Sequence, residues 1–228
     1  MEDWLGTHRA NLTGTITLFD TIRRERAGIP VVYASSAAVY GDCQVVPISE
    51  TAPRRPQSAY GADKYACELH ALVASHVHHV PMVGLRFFNV YGPRQDPRSP
   101  YSGVISIFCE RLRRGAPIEI FGDGHQARDF IYVGDVVASL RAAMALRPDD
   151  APAFNVCTGV ATSVLGFAQL IAMLSGVAAT IRHAAPRAGE IRESVGTPAL
   201  ARGVLGLGPP LALRDGLRHV LDWLDAAA

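Results

Sequence analysis

Three side chains of the sequence could together do acid–base chemistry on an alcohol. Tyr60 and Lys64 lie four residues apart, and Ser36 follows the apolar run of residues 31–34. Residues four apart share one face of a helix, where a lysine ammonium favours the phenolate form of a tyrosine. A serine hydroxyl can hydrogen-bond the same substrate. The set therefore predicts a general base that takes a proton from an alcohol while hydride leaves its carbon.

Lys64 is the only lysine in the sequence, and every other basic side chain is arginine or histidine. Such a bias is typical of genome composition, so the retained lysine indicates a role that a planar, permanently charged guanidinium does not fill. A Tyr-x-x-x-Lys spacing by itself often arises by chance. The alternative interpretation is an interface tyrosine beside a solvated lysine.

Helices and strands alternate around these residues. Apolar side chains recur at helical spacing between Leu5 and Ile22, and a short apolar strand follows at 31–34. A helix is predicted over 60–78 and a strand over 81–88. This order is typical of a doubly wound parallel sheet. Ser36 would then lie at the carboxyl end of a strand, where such sheets bind ligands.

The second half of the sequence predicts a smaller α/β lobe. Residues 93–102 read as a loop, and so do residues 203–208, whose glycines precede Pro209 and Pro210 without a strand-turn-helix around them. The remaining predicted elements are helices over 104–114, 135–146, 164–174 and 213–224, and strands over 118–121, 130–133 and 153–156. The predicted fold class is therefore α/β, a partial Rossmann-like doubly wound parallel sheet with a smaller α/β substrate-binding lobe.

Composition excludes several classes of function. A formal net charge of +1 argues against non-specific nucleic-acid binding. The four cysteines are far apart and show no CxxC or Cys/His pairing, which predicts reduced thiols and no metal site. No apolar stretch is long enough to span a membrane, and Glu2 and Asp3 do not begin a signal peptide. We expect a cytoplasmic protein with neither a nucleic-acid nor a membrane partner.

Several ordered motifs resemble those of the extended short-chain dehydrogenases, and the resemblance covers residues 15–223. Within that group the chain is similar to the NAD-dependent epimerase/dehydratase family. The motifs are YASSAAVYG at 33–41, SAYGADK at 58–64, LRFFNVYGPR at 85–94, FGDG at 121–124, RDFIYV at 128–133 and RAGE at 187–190.

The resemblance implies a role for each matching residue. Ser36 and Tyr60 would contact the sugar hydroxyl, Lys64 would also bind the nicotinamide ribose of NAD, and Phe88 would lie along the nicotinamide. Residues 1–93 would be the remaining NAD-binding domain, and 94–228 mainly the sugar-nucleotide lobe, with segments returning to the sheet. The residues expected to bind the substrate are Ser36, Asn89, Val104, Ile105, Phe121, Arg128, Arg187, Glu190 and Ser194, with both arginines on its diphosphate.

The subclass follows from the residues after Ser36. Dehydratases of this group carry an Asp-Glu pair there and decarboxylases an acidic residue, whereas this sequence has Ala37 and Ala38. The absence of a carboxylate favours 4-epimerisation through a transient 4-keto sugar. Residues 94–105 look most like bacterial UDP-glucose and UDP-N-acetylglucosamine 4-epimerases, which implies a UDP-sugar substrate. Ser194 would lie beside the C2 substituent, where a small residue admits an N-acetyl group.

The sequence lacks the glycine-rich turn that opens a full family member and holds the NAD pyrophosphate. We therefore expect weakened NAD binding by this chain. Two alternatives stay open, namely a catalytically inactive remnant that binds a sugar nucleotide or a partner, and a nucleotide-sugar reductase using the same residues. The resemblance also implies a homodimer through the helices at residues 7–26 and 60–78, although core packing would explain the same apolar stripes.

Overall fold

Helices and strands alternate along most of the chain. The computed structural model describes residues 3–25, 28–95, 104–187 and 189–226. The strands are β1 Val31–Ser36, β2 Met82–Phe87, β3 Asn89–Tyr91, β4 Ile118–Phe121, β5 Ala127–Tyr132, β6 Ala153–Val156, β7 Ala161–Ser163, β8 Ile181–Ala184 and β9 Glu193–Ser194. The helices are α1 Trp4–His8, α2 Gly14–Glu25, α3 Ala59–His78, α4 Val104–Arg113, α5 Val133–Ala143, α6 Val164–Ser175, α7 Ala199–Leu205 and α8 Leu213–Ala226.

Strands β1, β2 and β6 form a parallel sheet in the order β1-β2-β6. All strand pairs in it are parallel, and Ser36 pairs with Phe87 at their carboxyl ends. Because parallel strands end at the same edge, the polar residues that follow them meet there. The sheet confirms the predicted α/β Rossmann-like fold class.

Helix α3 covers one side of this sheet and carries two of the predicted catalytic residues. It begins after Ser58, whose hydroxyl accepts a hydrogen bond from the Gly61 amide at 3.0 Å, a normal amino-terminal cap. It ends at His79, which adopts a left-handed conformation. Cys67 and Ala71 are fully buried and pack with strand residues in one core cluster. That apolar stripe fixes the side of α3 that faces the sheet.

The opposite side of the sheet is covered by helices from the second half of the chain. Helices α5 and α7 pack on strands β2 and β6 in a second core cluster. Strand β6, from the second half of the chain, pairs with β2 in this sheet. The domain division at residue 93 stays a prediction.

The smaller lobe consists of two short sheets and three helices. Strand β5 pairs with β3, β7 and β9, while β4 pairs with β8. Helices α4, α6 and α8 bury a separate core that includes Phe108, Phe130 and Phe167. This lobe lies at the carboxyl ends of β1 and β2, because Asn89 begins β3 two residues after β2 ends.

The structure differs from the sequence prediction within the first helix and near residues 203–208. The first predicted helix is interrupted by a π-helical turn over Arg9–Thr13. The loop interpretation of residues 203–208 is wrong for its first part, because helix α7 extends to Leu205 and ends at Gly206, which has a φ of 64°. The predicted loop at 93–102 lies mostly outside the described residues. None of the helices in the described ranges is long and apolar enough to cross a membrane.

Candidate active site

Ser36 ends strand β1 and begins the turn Ala37–Val39. Its hydroxyl oxygen accepts a hydrogen bond from the Ala38 amide at 3.2 Å, which fixes the side chain at the carboxyl edge of the sheet. The hydroxyl proton remains available to donate to a ligand. The structure therefore places this serine at the strand end, as the sequence predicts.

Tyr60 and Lys64 lie in the first two turns of α3, next to the end of β1. The Lys64 ammonium donates a hydrogen bond to the Ala34 carbonyl at 3.1 Å. Its Nζ lies 5.6 Å from the centre of the Tyr60 ring, so the positive charge stands close to the phenol. The Tyr60 ring is 38% exposed and can be reached by a substrate.

The environment of Lys64 modifies its acidity. Burial lowers the pKa of the Lys64 ammonium from its usual value of 10.5, while the nearby Cys67 and Asp63 oppose this shift. A lowered pKa makes the lysine proton easier to share or transfer than that of a solvated lysine. This supports a role in acid–base chemistry over a solvated surface charge.

Gly61 allows the start of α3 to pack closely on the turn after Ser36. A Cβ atom at this position would lie 2.6 Å from the Ala38 carbonyl oxygen, which is too close for any other residue. The preceding residue, Tyr60, is thereby held beside the turn that carries Ser36. The glycine after Tyr60 is therefore needed for the close approach of α3 to this turn.

A cleft of about 480 Å³ opens from this turn toward the smaller lobe. Its walls come from the ends of β1 and β2, from β5, and from the segment around β9. The lining residues are Ser36, Ala37, Ala38, Phe87, Phe88, Asn89, Arg128, Arg187, Gly189, Glu190, Ile191 and Ser194. Six of the predicted substrate residues are therefore brought together around one space, although they are spread over about 160 positions of the sequence.

A second cavity of about 300 Å³ continues the cleft into the lobe. It shares Asn89, Arg128, Arg187 and Glu190 with the cleft, and it adds the predicted residue Phe121. The two spaces form an elongated site with Ser36 at one end and the arginines farther along. This shape suits a sugar at one end of a longer, anionic ligand.

The arginines give this part of the site an excess of positive charge. Arg187 stacks with its guanidinium carbon 3.9 Å from the centre of the Phe121 ring. Arg128 lies 3.8 Å from the Glu190 carboxylate, and burial lowers the pKa of its guanidinium while Glu190 raises it. With Arg111 and Glu119 of the second cavity included, three guanidinium groups and two carboxylates leave a net cationic site, which fits a diphosphate.

Phe88 and Ser194 are held in the cleft wall by close packing. Phe88 is 6% exposed, and a Cβ atom on Gly196 would lie 2.6 Å from its ring, so the two residues are in tight contact. Ser194 lies on β9 in register with Arg128 on β5. Phe88 and Ser194 both line the cleft that Ser36 also lines.

Ile105 does not line the cleft or the second cavity. The Ile105 side chain is 3% exposed and packs with Phe108 in the lobe core, because it lies on the inner face of α4. Ile107 of the same helix lines the second cavity instead. The side chain of Val104 lies outside the described residues.

Gln126 is a site residue that the sequence analysis did not single out. It is 5% exposed, and its amide donates to the Phe121 carbonyl at 3.0 Å and to the Glu190 carboxylate at 3.1 Å. Gln126 therefore orients the Glu190 carboxylate, which lies beside Arg128. The only sequence signal is its place between two quoted motifs, where an uncharged polar residue is easily assigned to a loop.

A Rossmann-like sheet with Ser36, Tyr60 and Lys64 at its carboxyl edge, next to a cationic lobe, defines the extended short-chain dehydrogenase class. The model of the NAD dependent epimerase/dehydratase family matches residues 1–157. The UDP-glucose 4-epimerase of Mycolicibacterium smegmatis is 36% identical over 219 residues, covering 93% of this chain and 67% of that protein. The chain belongs to the NAD dependent epimerase/dehydratase family, among its NAD-dependent nucleotide-sugar epimerases.

Solved structures give the same result. The UDP-glucose 4-epimerase of Thermotoga maritima with UDP-glucose superposes with a TM-score of 0.94 at 31% identity, covering 99% of this chain and 72% of that one. The UDP-N-acetylglucosamine 4-epimerase of Methanobrevibacter ruminantium, in complex with UDP-N-acetylmuramic acid, gives 0.91 at 28% identity, covering 96% and 70%. The chain thus spans about two thirds of the length of the relatives it matches.

Proposed function

We propose that this protein takes part in the 4-epimerisation of a UDP-hexose through a transient 4-keto sugar. The observation that carries the proposal is that Ser36 lines one end of a cleft whose other end is cationic, while Tyr60 and Lys64 lie on α3 beside the same strand end. The turn after Ser36 presents only Ala37 and Ala38 to the cleft. Among the described lining residues near Ser36, no acid is placed to eliminate water, which supports epimerisation over dehydration.

The chain's own residues would bind and deprotonate the sugar. Tyr60 removes the proton of the C4 hydroxyl, while Lys64 stabilises the negative charge of the phenolate. Ser36 donates a hydrogen bond to the same sugar oxygen and holds it through both halves of the reaction. Arg128 and Arg187 bind the diphosphate, so the sugar can turn its opposite face to the cofactor while the nucleotide stays fixed.

The residues at the carboxyl edge fit the nicotinamide end of NAD. Lys64 and Tyr60 offer polar groups beside the end of β1, and the Phe88 ring closes the floor of the cleft. When bound there, NAD supplies the acceptor that takes a hydride from C4 and gives it back to the other face. Tyr60, Lys64 and Phe88 would hold and orient that end.

The direct test is conversion of UDP-glucose to UDP-galactose, and the reverse, in the presence of NAD. The assay uses the 228-residue chain and an extended form in which a glycine-rich strand-turn-helix segment, designed to hold the NAD pyrophosphate, precedes it. Formation of the C4 epimer without net change in NADH supports the proposal. Net NADH consumption would indicate a reductase. Binding of UDP-sugar without turnover by either form would indicate a non-catalytic binding protein.

We expect the 228-residue chain to bind NAD weakly. Its sequence has no glycine-rich strand-turn-helix to supply backbone amides and a helix amino terminus to the pyrophosphate. Isothermal titration calorimetry should therefore show little heat with NAD but clear binding of UDP at the arginine site. An Arg128→Ala variant is the matched control for UDP. Submicromolar NAD affinity, or NAD copurifying with the chain, would contradict the expectation.

We also propose that the protein forms a homodimer through the outer face of α3. Leu69, Leu72, Val73 and Val77 are between 39% and 62% exposed and form an apolar stripe on this helix. Phe19 of α2, by contrast, is buried in the core, so only part of the predicted stripe is available. Contiguous exposed apolar surface of this kind is usual at interfaces.

The dimer proposal predicts a specific effect of charge on α3. Sedimentation velocity at micromolar concentration should show a dimer for the parent chain and a monomer for the Leu69→Arg/Val73→Glu variant, because two charges cannot be buried at a symmetric apolar interface. Val204→Glu, on the exposed face of α7, is the control and should stay dimeric. A parent chain that is monomeric at these concentrations would overturn the proposal.

The size of Ser194 supports a further feature of the substrate. It lies in the wall of the cleft that also holds Ser36 and Ala37, and its hydroxymethyl group leaves space beside the sugar. We propose that the enzyme accepts UDP-N-acetylhexosamines as well as UDP-glucose and UDP-galactose. A small residue permits the N-acetyl group but does not by itself create a preference for it.

A further inference from the structure

A buried ion pair joins α3 to the sheet directly beneath the candidate active site. Arg86 on β2 is 1% exposed, and Glu68 on α3 is 9% exposed. The Arg86 Nε and Nη2 atoms donate to the two Glu68 carboxylate oxygens at 2.8 and 2.7 Å. This two-point contact fixes both the distance and the relative orientation of the two groups.

Three further hydrogen bonds hold the pair in place. The Ser35 hydroxyl donates to Glu68 Oε1 at 2.6 Å. Arg86 Nη1 donates to the Tyr40 hydroxyl at 2.7 Å and to the Glu50 backbone carbonyl at 3.1 Å. Burial lowers the pKa of Arg86, but the hydrogen bonds and charge of Glu68 outweigh it and the net shift is upward. The Arg86 guanidinium therefore stays protonated.

The ion pair connects the two elements that carry the predicted catalytic residues, strand β1 and helix α3. Ser35 pairs with Arg86 in the β1–β2 register, and the next pair is Ser36 with Phe87. Glu68 follows Lys64 by four residues and Tyr60 by eight, so the three side chains lie on one face of α3. One contact thus connects the end of β1 with the helix that carries the base.

Stability alone does not account for the pair. Burying two charges costs desolvation free energy, and apolar side chains of similar volume are often as stabilising or more so. The α3 helix already buries Cys67 and Ala71 completely against the sheet. Those apolar contacts hold the helix on the sheet, but they allow small shifts and rotations that a bidentate ion pair prevents.

We propose that Glu68 and Arg86 are positioning residues that set the alignment of Tyr60 and Lys64 with Ser36. Neither lines the cleft among the described residues, so their effect passes through the placement of α3. The catalytic consequence rests on the proposed function, since alignment matters to turnover only if these three residues act on a substrate. A displacement of about 1 Å in such a site can cost about a hundredfold in rate.

The test uses variants that leave no uncompensated buried charge. Glu68→Gln/Arg86→Met removes both charges while keeping an acceptor for the Ser35 hydroxyl. Glu68→Asp keeps both charges but shortens one arm of the pair by a methylene. Ser75→Ala is the control, because Ser75 anchors the far end of α3 through a buried hydrogen bond to the Asp149 carbonyl at 3.0 Å.

Lys64 provides a readout in the 228-residue chain that does not depend on activity. It is the only lysine, so ¹³Cε-lysine labelling gives a single side-chain resonance whose pH titration needs no assignment. In the double variant we expect its midpoint to rise toward 10.5, the usual value, because a less firmly held helix lets water reach the ammonium. Ser75→Ala should leave the midpoint unchanged.

Activity of the extended form gives the second readout. We expect the double variant to lose about a hundredfold in kcat with KM and thermal midpoint little changed, and Glu68→Asp to change in the same direction. An unmoved Lys64 resonance in both variants, or an equal shift in Ser75→Ala, would overturn the positioning role. If no form has epimerase activity, the proposed function fails while the Lys64 titration still decides the structural claim.

Discussion

Replacing Tyr60 with phenylalanine should lower kcat for UDP-hexose epimerisation by about a hundredfold or more. The substitution removes a single oxygen, the one that takes the substrate proton, and loss of a general base usually costs about 10²- to 10⁴-fold. Tyr60 is 38% exposed, so the fold does not depend on burying its hydroxyl. UDP affinity and the thermal midpoint should therefore be nearly unchanged.

Tyr65→Phe is the matched control for this substitution. Tyr65 lies on the same helix but packs at the edge of the cluster formed by Val39 and Tyr40, whereas the Tyr60 ring lies beside the Lys64 ammonium. The comparison is made by epimer formation in the extended form with saturating NAD. Turnover in Tyr60→Phe that remains close to that of Tyr65→Phe would remove the proposed mechanism.

Ser194→Tyr should lower kcat/KM for UDP-N-acetylhexosamines by about a hundredfold or more, while leaving UDP-glucose turnover nearly intact. A phenol in place of a hydroxymethyl group would fill the space beside the C2 substituent, which a hydroxyl tolerates and an N-acetyl group does not. One extra methylene in a pocket already changes kcat/KM by about 10- to 200-fold. Overlap of a phenol with an N-acetyl group is a larger clash, so the effect should reach about a hundredfold or more.

Ser194→Ala separates size from hydrogen bonding at this position. Alanine is also small, so it should retain activity on both sugar types. The measurement is kcat/KM for UDP-glucose and UDP-N-acetylglucosamine with each variant. A parent enzyme inactive on the N-acetyl sugar, or a tyrosine variant that turns it over normally, would show that Ser194 does not govern substrate size.

The order of elements in the sheet can be predicted from sequence because its physical causes are local. The run at 31–34 is apolar and short, and the helix after Ser58 has a capping residue and a continuous apolar stripe, so each element is indicated by its own residues. Open α/β sheets bind ligands at the carboxyl ends of their strands, and this general property predicts that Ser36 lies near Tyr60 and Lys64. The strands at 118–121 and 153–156 have the predicted bounds for the same reason.

The remaining features depend on contacts that no local pattern records. Strands β7 and β9 have only three and two residues and exist because they pair with β5, so neither carries an alternating pattern of its own. Helix α7 lies between a proline and glycines and reads as a loop. Glu68 and Arg86 are charged residues that sequence patterns assign to the surface, and only their mutual contact permits burial.

The central claim is that hydride leaves C4 of the sugar and returns to the same carbon within one site. It is tested most directly with UDP-glucose deuterated at C4, using the extended form in ordinary water. We predict UDP-galactose that retains the deuterium at C4, because Tyr60 exchanges only the hydroxyl proton and the 4-keto sugar stays bound to the arginines. Deuterium found at C6, lost to solvent or accumulated in free reduced cofactor would contradict epimerisation by this site.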